Sequence, residues 1–388
     1  EPWEINKLSD FTERITRKNN KNQTDLPLTI SSKDGLVDQI SYFNKTVASK
    51  NMSGYYLLFN GEFAYNKSYS IGYNFGSIKR LDRYPMGALS TLYICFALKK
   101  YDSDFIKAYF DSLKWYREIY MISAEGARNH GLLNVPTDKF FETKHYLPQN
   151  PNEQRKIADF IIALERRIDA QQLLVDSLKK YKRGAVMQLL SSKSCPLKNV
   201  KWTTAKMSEL GSFVKGAPLS KADIADDGTP FILYGELYTT YTEVVTSIKR
   251  RTRAKVDVQY LSRVGDVVIP TSGETPEEIS TASCIMLPGV ILAGDLNIFR
   301  SDKVDGRIMS YLLNHVANAK IARIAQGKSV VHIQASELGK LTLSYPDEST
   351  QRKLIGFLSK LDDKIVIEED SLTFLTDLKS GLMQQLFI

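Results

Sequence analysis

The side chains best suited to specific hydrogen bonding lie in two glycine-containing loops. Arg, Asn and Gln carry forked or amide donors that match the edges of nucleic-acid bases, whereas Lys and Ser mainly contact phosphates. These loops are therefore candidates for contact with nucleic acid; the alternative is that they are tight connectors within their domains. The candidates are Arg128, Asn129 and His130 in the first loop and Gln326, Lys328 and Ser329 in the second.

A second pair of loops follows two strands that begin after Gly61 and Gly265. In the later loop, Glu274 could accept a hydrogen bond from the N4 amino group of cytosine. The segment Ser272-Gly273-Glu274 is equally typical of an ordinary turn, and both interpretations stay open. The DNA-binding candidates of these loops are Tyr65, Asn66, Lys67, Thr271, Ser272 and Glu274, and Tyr238, earlier in the chain, is a further candidate.

Basic residues supply candidates for phosphate contacts. Lys79, Arg80 and Arg83 form one group, and Arg250 and Arg251 lie in a second basic run. Their loss should weaken binding to all sequences and reduce its salt dependence. The alternative is that these charges simply keep a surface solvated.

Motifs for catalysis or cofactor binding are missing from the sequence. Gly327-Lys328-Ser329 resembles the end of a nucleotide-binding loop, but Ala322 stands where that loop needs its first glycine. The order of elements is also the reverse of what such a loop needs, because in this sequence a helix is predicted before the loop and a strand after it. The sequence contains no Asn-Pro-Pro-aromatic tetrapeptide for amino-group methylation, no His/Cys cluster and no serine elbow. We predict no catalytic, cofactor or metal site in this chain.

Length and composition indicate a protein of more than one domain with a basic surface. The chain has 388 residues, and 52 Lys plus Arg against 44 Asp plus Glu give a formal charge of +8. A positive surface attracts phosphate. The three cysteines are far apart in the sequence, which argues against a disulfide framework. With no apolar segment near the length of a membrane helix, we expect a cytoplasmic protein without membrane contact.

An internal repeat reveals the architecture. A shift of 197 residues aligns 154–190 with 351–387 without a gap, and 11 of the 37 pairs are identical. Within each copy, apolar residues recur at alternating steps of four and three, which is the seam of a coiled coil. Polar residues interrupt both seams at matching places, Gln171 and Lys182 in one copy and Glu368 and Lys379 in the other, which favours two helices that pair with each other. The apolar seam residues are Ile157, Ile161, Leu164, Ile168, Val175 and Leu178 in the first copy and Leu354, Leu358, Leu361, Ile365, Leu372 and Leu375 in the second.

The segments before the two helices also repeat, more faintly. Trp3 to Ser9 resembles Trp202 to Ser208, and each is followed by a glycine-led strand and then by apolar pairs at helical spacing. Asn60-Gly61 between two β-rich runs is a strong signal for a hairpin. We predict an α+β fold with a pseudo-two-fold internal repeat: two mixed α/β globular domains at 1–147 and 194–345, and two long helices at 148–193 and 346–388 that form an antiparallel coiled coil.

This alternation resembles the specificity subunits of type I restriction-modification systems over nearly the whole chain. Each helix begins like those of that family, as in Glu153-Gln154-Arg155-Lys156-Ile157, although Thr350 replaces the glutamate in the second copy. Family-like segments in the second globular domain are Leu233–Tyr238, Pro270–Glu274, Gly294–Asn297 and Ala325–Val330. Similar segments in the first are Leu28–Ser31, Asp34–Leu36 and Gly126–Gly131.

The resemblance implies that the globular domains are target-recognition domains, each contacting one half of a bipartite, asymmetric sequence in double-stranded DNA. The helices would act as a ruler and would dock two DNA methyltransferase (modification) subunits and the restriction endonuclease/translocase subunits. In such systems S-adenosylmethionine, ATP and magnesium belong to the partner subunits, and this chain would need no cofactor. An intracellular coiled-coil scaffold without DNA binding is the alternative function, and an enzyme acting alone on nucleic acid is a second rival.

Overall fold

The structure, a computed structural model, describes residues 3–45, 47–49, 51–123, 133–325 and 331–387. The chain divides into unit 1, which contains Glu1–Gln172 and Asp370–Ile388, and unit 2, which contains Leu173–Glu369. The two long helices are Pro151–Leu189 and Glu348–Leu386, so each unit holds a part of both. No helix among the described residues is both long and apolar enough to cross a membrane.

In unit 1, strands and short helices precede the first long helix. The strands are Trp3–Lys7, Thr12–Arg14, Pro27–Ser31, Gly35–Asp38, Tyr56–Phe59, Phe63–Asn66, Ser77–Arg80, Met86–Leu89, Ile94–Leu98 and Lys144–Pro148. The short helices are Leu8–Phe11, Gln39–Phe43, Ser103–Asp111, Tyr116–Ile122 and Thr137–Phe141.

Unit 2 has a similar succession of elements between its helix segments. Its strands are Trp202–Lys206, Gly211–Lys215, Thr229–Leu233, Val244–Val245, Arg251–Thr252, Asp266–Pro270, Ser272–Gly273, Ser283–Ile285, Ile291–Ala293, Leu296–Ser301, Val331–His332 and Thr342–Pro346. Its short helices are Met207–Leu210, Lys221–Asp223, Glu236–Thr239, Val258–Tyr260, Pro276–Ile279, Gly306–Tyr311, Leu312–Val316, Asn318–Ile324 and Ala335–Gly339.

The sheets show that the repeat is structural as well as sequential. In unit 1 an antiparallel sheet has the order Thr12–Arg14, Ile94–Leu98, Phe63–Asn66, Ser77–Arg80. The matching sheet of unit 2 has the order Gly211–Lys215, Leu296–Ser301, Asp266–Pro270, Ser283–Ile285, Val244–Val245. A second sheet in each unit contains one parallel pair, Pro27–Ser31 with Met86–Leu89 in unit 1 and Thr229–Leu233 with Ile291–Ala293 in unit 2. The mixed α/β prediction for both globular domains is therefore confirmed.

Each long helix follows a strand that belongs to a two-stranded antiparallel ladder, and the two ladders are equivalent. Trp3 lies opposite Pro148 in unit 1, and Trp202 lies opposite Pro346 in unit 2, so the weak Trp repeat in the sequence marks equivalent strands. Gly61 and Gly265 both have positive φ, +86° and +94°, at the turn before the equivalent central strands. Glycine adopts that backbone region without the penalty of a Cβ atom, which explains why a glycine occupies the turn before each strand.

The hairpin predicted at Asn60-Gly61 is wrong. Tyr56–Phe59 pairs with Met86–Leu89, whereas Phe63–Asn66 pairs with Ser77–Arg80 and Ile94–Leu98. Two adjacent β-rich runs need not pair with each other when each finds another strand with better packing. The turn therefore passes the chain from one sheet to the other.

The predicted apolar seam residues of both long helices are buried or half-buried, and near the helix ends residues beside the seam are buried as well. In unit 1, Ala158 and Ile161 of the first helix join a core cluster that also contains Met383 of the second helix and Phe387, which directly follows that helix. In unit 2 the corresponding core cluster contains Val186 of the first helix and Leu190 directly after it, together with Leu354, Ile355 and Leu358 of the second helix. Within each unit, the start of one helix thus packs beside the end of the other, which is the antiparallel pairing that the seams predicted.

Candidate nucleic-acid interface

A buried glutamine holds the start of each long helix against its globular domain. Gln154 donates to the carbonyl oxygen of Pro148 at 2.9 Å and accepts from the backbone N–H of Asp102 at 2.9 Å. Gln351 likewise donates to Pro346 at 2.9 Å and accepts from Asp305 N–H at 3.0 Å.

The two aspartates reached by these glutamines cap equivalent helices. The carboxylate of Asp102 accepts from the first-turn N–H groups of Ser103–Asp111, and that of Asp305 does so for Gly306–Tyr311. Each globular domain is thereby fixed to a helix start through the same pair of hydrogen bonds. The repeated Gln-Arg-Lys motif thus has a structural role.

Seam lysines form an inter-helix ion pair in each unit. In unit 1, Lys379 Nζ lies 2.5 Å from Glu165 Oε1. In unit 2, Lys182 Nζ lies 2.5 Å from Asp362 Oδ1, and a shift of 197 residues relates both pairs. The two seam lysines therefore bind acids on the opposing helix.

The lysine of unit 2 belongs to a larger buried network. Lys182 also lies 2.7 Å from Glu243 Oε2, and His315 Nε2 lies 2.5 Å from Glu243 Oε1. The hydroxyl of Tyr311 donates to Asp362. Burial opposes ionisation of Glu243, but His315 and the ammonium of Lys182 outweigh it and lower the pKa of that carboxyl to about 2. Sequence reasoning missed Glu243, His315 and Tyr311; the only available signal was the charged residue within an apolar seam.

The candidate loops are partly outside the described residues. Arg128, Asn129 and His130 lie in 124–132, and Gln326, Lys328 and Ser329 lie in 326–330, neither of which the structure describes. The residues that follow these stretches are described. In each unit, the segment that follows the undescribed loop contacts the second group of candidate loops.

These contacts are equivalent in the two units. In unit 1, the N–H of Leu133 donates to the carbonyl oxygen of Lys67 at 3.0 Å. In unit 2, Ser272–Gly273 pairs with Val331–His332, and Ile333 N–H donates to the carbonyl oxygen of Thr271 at 2.9 Å. Two segments that are far apart in sequence are therefore neighbours in each unit.

Tyr65 does not lie on the surface, which corrects its assignment as a DNA contact. Its side chain is fully buried, stacks on Phe140 with ring centroids 4.9 Å apart, and donates its hydroxyl to the carbonyl oxygen of Phe75 at 2.8 Å. Burial raises the pKa of the phenol. An alternating strand directs successive side chains to opposite faces, and this one faces the core. Its neighbour Asn66 accepts from the backbone N–H of Ser68 at 3.0 Å.

The first basic group is mostly paired within unit 1. Lys79 Nζ lies 2.6 Å from Asp111 Oδ1, and Arg80 bonds to Asp82 at 2.6 Å and to Asp104 at 2.8 Å. These internal pairs leave Lys79 and Arg80 little capacity for phosphate. Arg83 is exposed, and none of the described residues pairs with it.

These three residues line a cavity of about 650 Å³ in unit 1, together with Lys33, Lys107, Lys379 and the carboxylates of Asp34, Asp82, Asp111 and Glu165. Its cations and acids are interspersed. The cavity therefore lacks the single sign of charge expected of a dedicated phosphate site.

The second basic run is also divided between structural and exposed roles. Arg250 Nε donates to the buried carboxylate of Glu236 at 2.7 Å. Arg251 is exposed, and among the described residues its side chain bonds only to the carbonyl oxygen of Gly228, at 2.8 Å. The Ser272 side chain is buried, and its hydroxyl donates to Asp295 Oδ2 at 2.8 Å. Ser272 therefore positions a neighbouring carboxylate in this conformation.

Tyr238 and Glu274 line one cavity of about 670 Å³ in unit 2. Glu274 is exposed, and its carboxylate has no hydrogen-bond or ionic partner among the described residues. The described part of the chain contains no group of three or more His, Cys, Asp or Glu side chains that could hold a metal ion.

Residues 199–376 match the family model described as type I restriction modification DNA specificity domain. No curated protein sequence matches the chain. One similar solved chain comes from a structure described as the structural basis underlying complex assembly and conformational transition of the type I R-M system; its TM-score is 0.62 at 15% identity, over 100% of this chain and 97% of that chain. Another is the S subunit of a type I restriction-modification system from M. genitalium, with a TM-score of 0.56 at 14% identity, over 100% of this chain and 96% of that chain. At these identities the structural likeness establishes the fold.

Proposed function

We propose that this chain, a non-catalytic specificity component of a type I restriction-modification system by its family match and its fold, binds two separated half-sites of double-stranded DNA. Each unit reads one half of a bipartite, asymmetric sequence. The repeated juxtaposition of two polar loops supports this proposal, because Lys67 in unit 1 and Thr271 in unit 2 bond to the chain that follows a candidate loop. A duplicated reader suits two half-sites on one duplex.

The residues with free capacity for DNA are the exposed ones. Arg83 and Arg251 contact phosphates, since both present a guanidinium to solvent. Arg128, Asn129, His130, Gln326, Lys328 and Ser329 remain candidates for base and phosphate contacts from residue type alone. Replacing a phosphate contact lowers affinity for all sequences and reduces the salt slope by about one.

The long helices dock partner subunits and set the spacing of the half-sites. Phe160 and Phe357 occupy matching positions of the repeat and remain 47% and 41% exposed. Exposed aromatic side chains on an otherwise paired helix favour a protein interface. Because the two positions are equivalent, each of them suits the docking of one modification subunit. Restriction subunits join this assembly.

In this proposal S-adenosylmethionine, ATP and magnesium are bound by the partner subunits, and the chain itself needs no cofactor. The assembly acts in the cytoplasm, where the DNA is. The chain contributes the choice of sequence.

A domain exchange tests the proposal. Residues 1–147 are replaced by the corresponding domain of another specificity subunit, the variant is assembled with modification subunits, and methylated adenines are mapped in exposed DNA. We expect one half-site to change and the other to persist. A change in both halves would contradict one half-site per unit, and salt-independent or absent duplex binding would favour a scaffold.

A further inference from the structure

Three sequence motifs that are far apart in the chain meet at one cavity in unit 2. The cavity of about 670 Å³ is lined by residues from Leu233–Thr239, by Glu274, and by Gly294 and Asp295. Arg250 and residues 219–222, which include Lys221, complete its wall. A volume in this range is typical of pockets that accept small ligands or the exposed edge of a larger one.

Among the described residues that line this cavity, two carboxylates, Glu274 and Asp295, have free acceptor oxygens, against one unpaired cation, Lys221. Arg250 is neutralised by the buried Glu236 at 2.7 Å, which leaves Lys221 as the remaining cation of the lining. The Glu274 carboxylate has no partner among the described residues. Asp295 uses one oxygen, Oδ2, to accept from Ser272 at 2.8 Å, and the other oxygen faces no donor in the described chain.

The loop that presents Glu274 is held in place. Its backbone N–H donates to Glu278 Oε2 at 2.8 Å, and Thr275 with Glu278 forms a capping box for the helix Pro276–Ile279. On the other side, Thr271 N–H donates to the carbonyl oxygen of Asp295 at 2.7 Å. The backbone at Glu274 and at Asp295 is therefore fixed before any ligand binds, and Ser272 also orients the carboxylate of Asp295.

The aromatic wall completes the chemistry. Tyr234 and Tyr238 are half-buried, and neither hydroxyl bonds to another described residue. Burial and the carboxylates of Glu278 and Glu274 raise the pKa of Tyr238, which is consistent with a negative field in the cavity. Such a field disfavours phosphate and favours groups that donate hydrogen bonds.

We propose that Glu274 is a specificity-determining residue that accepts a hydrogen bond from the exocyclic amino group of a cytosine or an adenine in the half-site read by unit 2. The inference rests on the proposed function. Cytosine N4 and adenine N6 are the amino donors that the major groove presents. Asp295, fixed by Ser272, is the positioned second acceptor, and Tyr238 contacts the same base edge.

A selection experiment tests this role. The full chain, as wild type and with Glu274→Ala, selects from a library of duplexes with randomised sequence, and the enriched sequences are read. We expect the variant to enrich the same two halves with one relaxed position, where the preference for cytosine or adenine falls about tenfold. That position lies in the half that the exchange of residues 1–147 leaves unchanged.

The matched control is Glu277→Ala. Glu277 is also exposed and lies three residues further along, but it does not line the cavity. Both variants remove one negative charge, so both should raise non-specific affinity at low salt, while Glu274→Ala alone relaxes a base. An unchanged sequence with Glu274→Ala, equal relaxation with Glu277→Ala, or relaxation in the other half would overturn the inference. A wild-type chain that enriches no sequence would instead overturn the proposed function, and the retained positions of the half-site read by unit 2 report that each variant is folded.

Discussion

Replacing Lys182 by Met should destabilise unit 2 far more than the equivalent replacement of Lys379 destabilises unit 1. The Lys182 side chain is 10% exposed and lies between Glu243, which is 13% exposed, and Asp362. Removing the ammonium leaves two carboxylates facing each other without their shared cation. Loss of one partner from a buried ion pair costs about 3–5 kcal/mol.

The remaining hydrogen bonds around Glu243 and Asp362 bring this cost toward the lower end of that range. His315 still contacts Glu243, and Tyr311 still donates to Asp362, which is 27% exposed. We therefore expect Lys182→Met to lower the free energy of unfolding by about 3 kcal/mol.

The matched control lies at the equivalent seam position of unit 1. Lys379 and Glu165 are 26% and 32% exposed, so water screens this pair and solvates the remaining carboxylate. We expect Lys379→Met to cost about 1 kcal/mol or less.

Urea unfolding followed by circular dichroism compares the two variants with the wild type. Adding Glu243→Gln to Lys182→Met removes one uncompensated charge, so the double variant should recover part of the lost stability. Equal losses for Lys182→Met and Lys379→Met, or no recovery in the double variant, would refute the electrostatic reasoning.

Other replacements test the packing, the helix start and the pH dependence. Phe387→Ala removes a 1% exposed aromatic side chain from the core of unit 1 and should cost about 3–5 kcal/mol in urea unfolding, whereas Phe374→Ala, at a position that is 66% exposed, should change stability by less than about 0.5 kcal/mol. Gln351→Ala leaves a buried N–H and a buried carbonyl group unsatisfied, so we expect a loss of about 2 kcal/mol in the same assay; a neutral result would contradict its bridging role. The folded-state pKa of Glu243 is about 2 against an ordinary value of 4.5, so its contribution is complete above pH 4.5 and is lost as the pH falls toward 2. Stability curves measured over that interval should be less steep for Glu243→Gln than for the wild type, and identical slopes would show that the carboxyl does not act this way.

Several features of the fold follow from local patterns alone. The alternating steps of four and three between Ile157 and Leu178 specify a helix with one apolar stripe, and the structure has a helix over Pro151–Leu189. The repeat at a shift of 197 residues predicted equivalent domains, and the equivalent pairing of Trp3 with Pro148 and of Trp202 with Pro346 confirms it. These patterns can be recognised in the sequence because each of them is a regular arrangement of residues along the chain.

The candidate interface was less predictable, because burial and pairing depend on distant residues. Tyr65 had a suitable residue type, but Phe140 and Phe75 enclose it. Lys79 and Arg80 looked like free cations, and each proved to have an acidic partner more than 20 positions away. Residue type predicts what a side chain can do, whereas its neighbours determine whether that capacity is already used.

The sequence by itself determined the duplication, the two long helices with their polar seam positions, and the segments that carry polar groups. Only the tertiary structure decided that Lys182 bonds to both Glu243 and Asp362, and that Glu274 and Asp295 line one cavity with Tyr238. The physical reason is the separation along the chain of the residues that interact. Periodicity and turn chemistry act over a few residues, whereas an ion pair or a cavity exists only once strands and helices from remote parts of the chain have packed together.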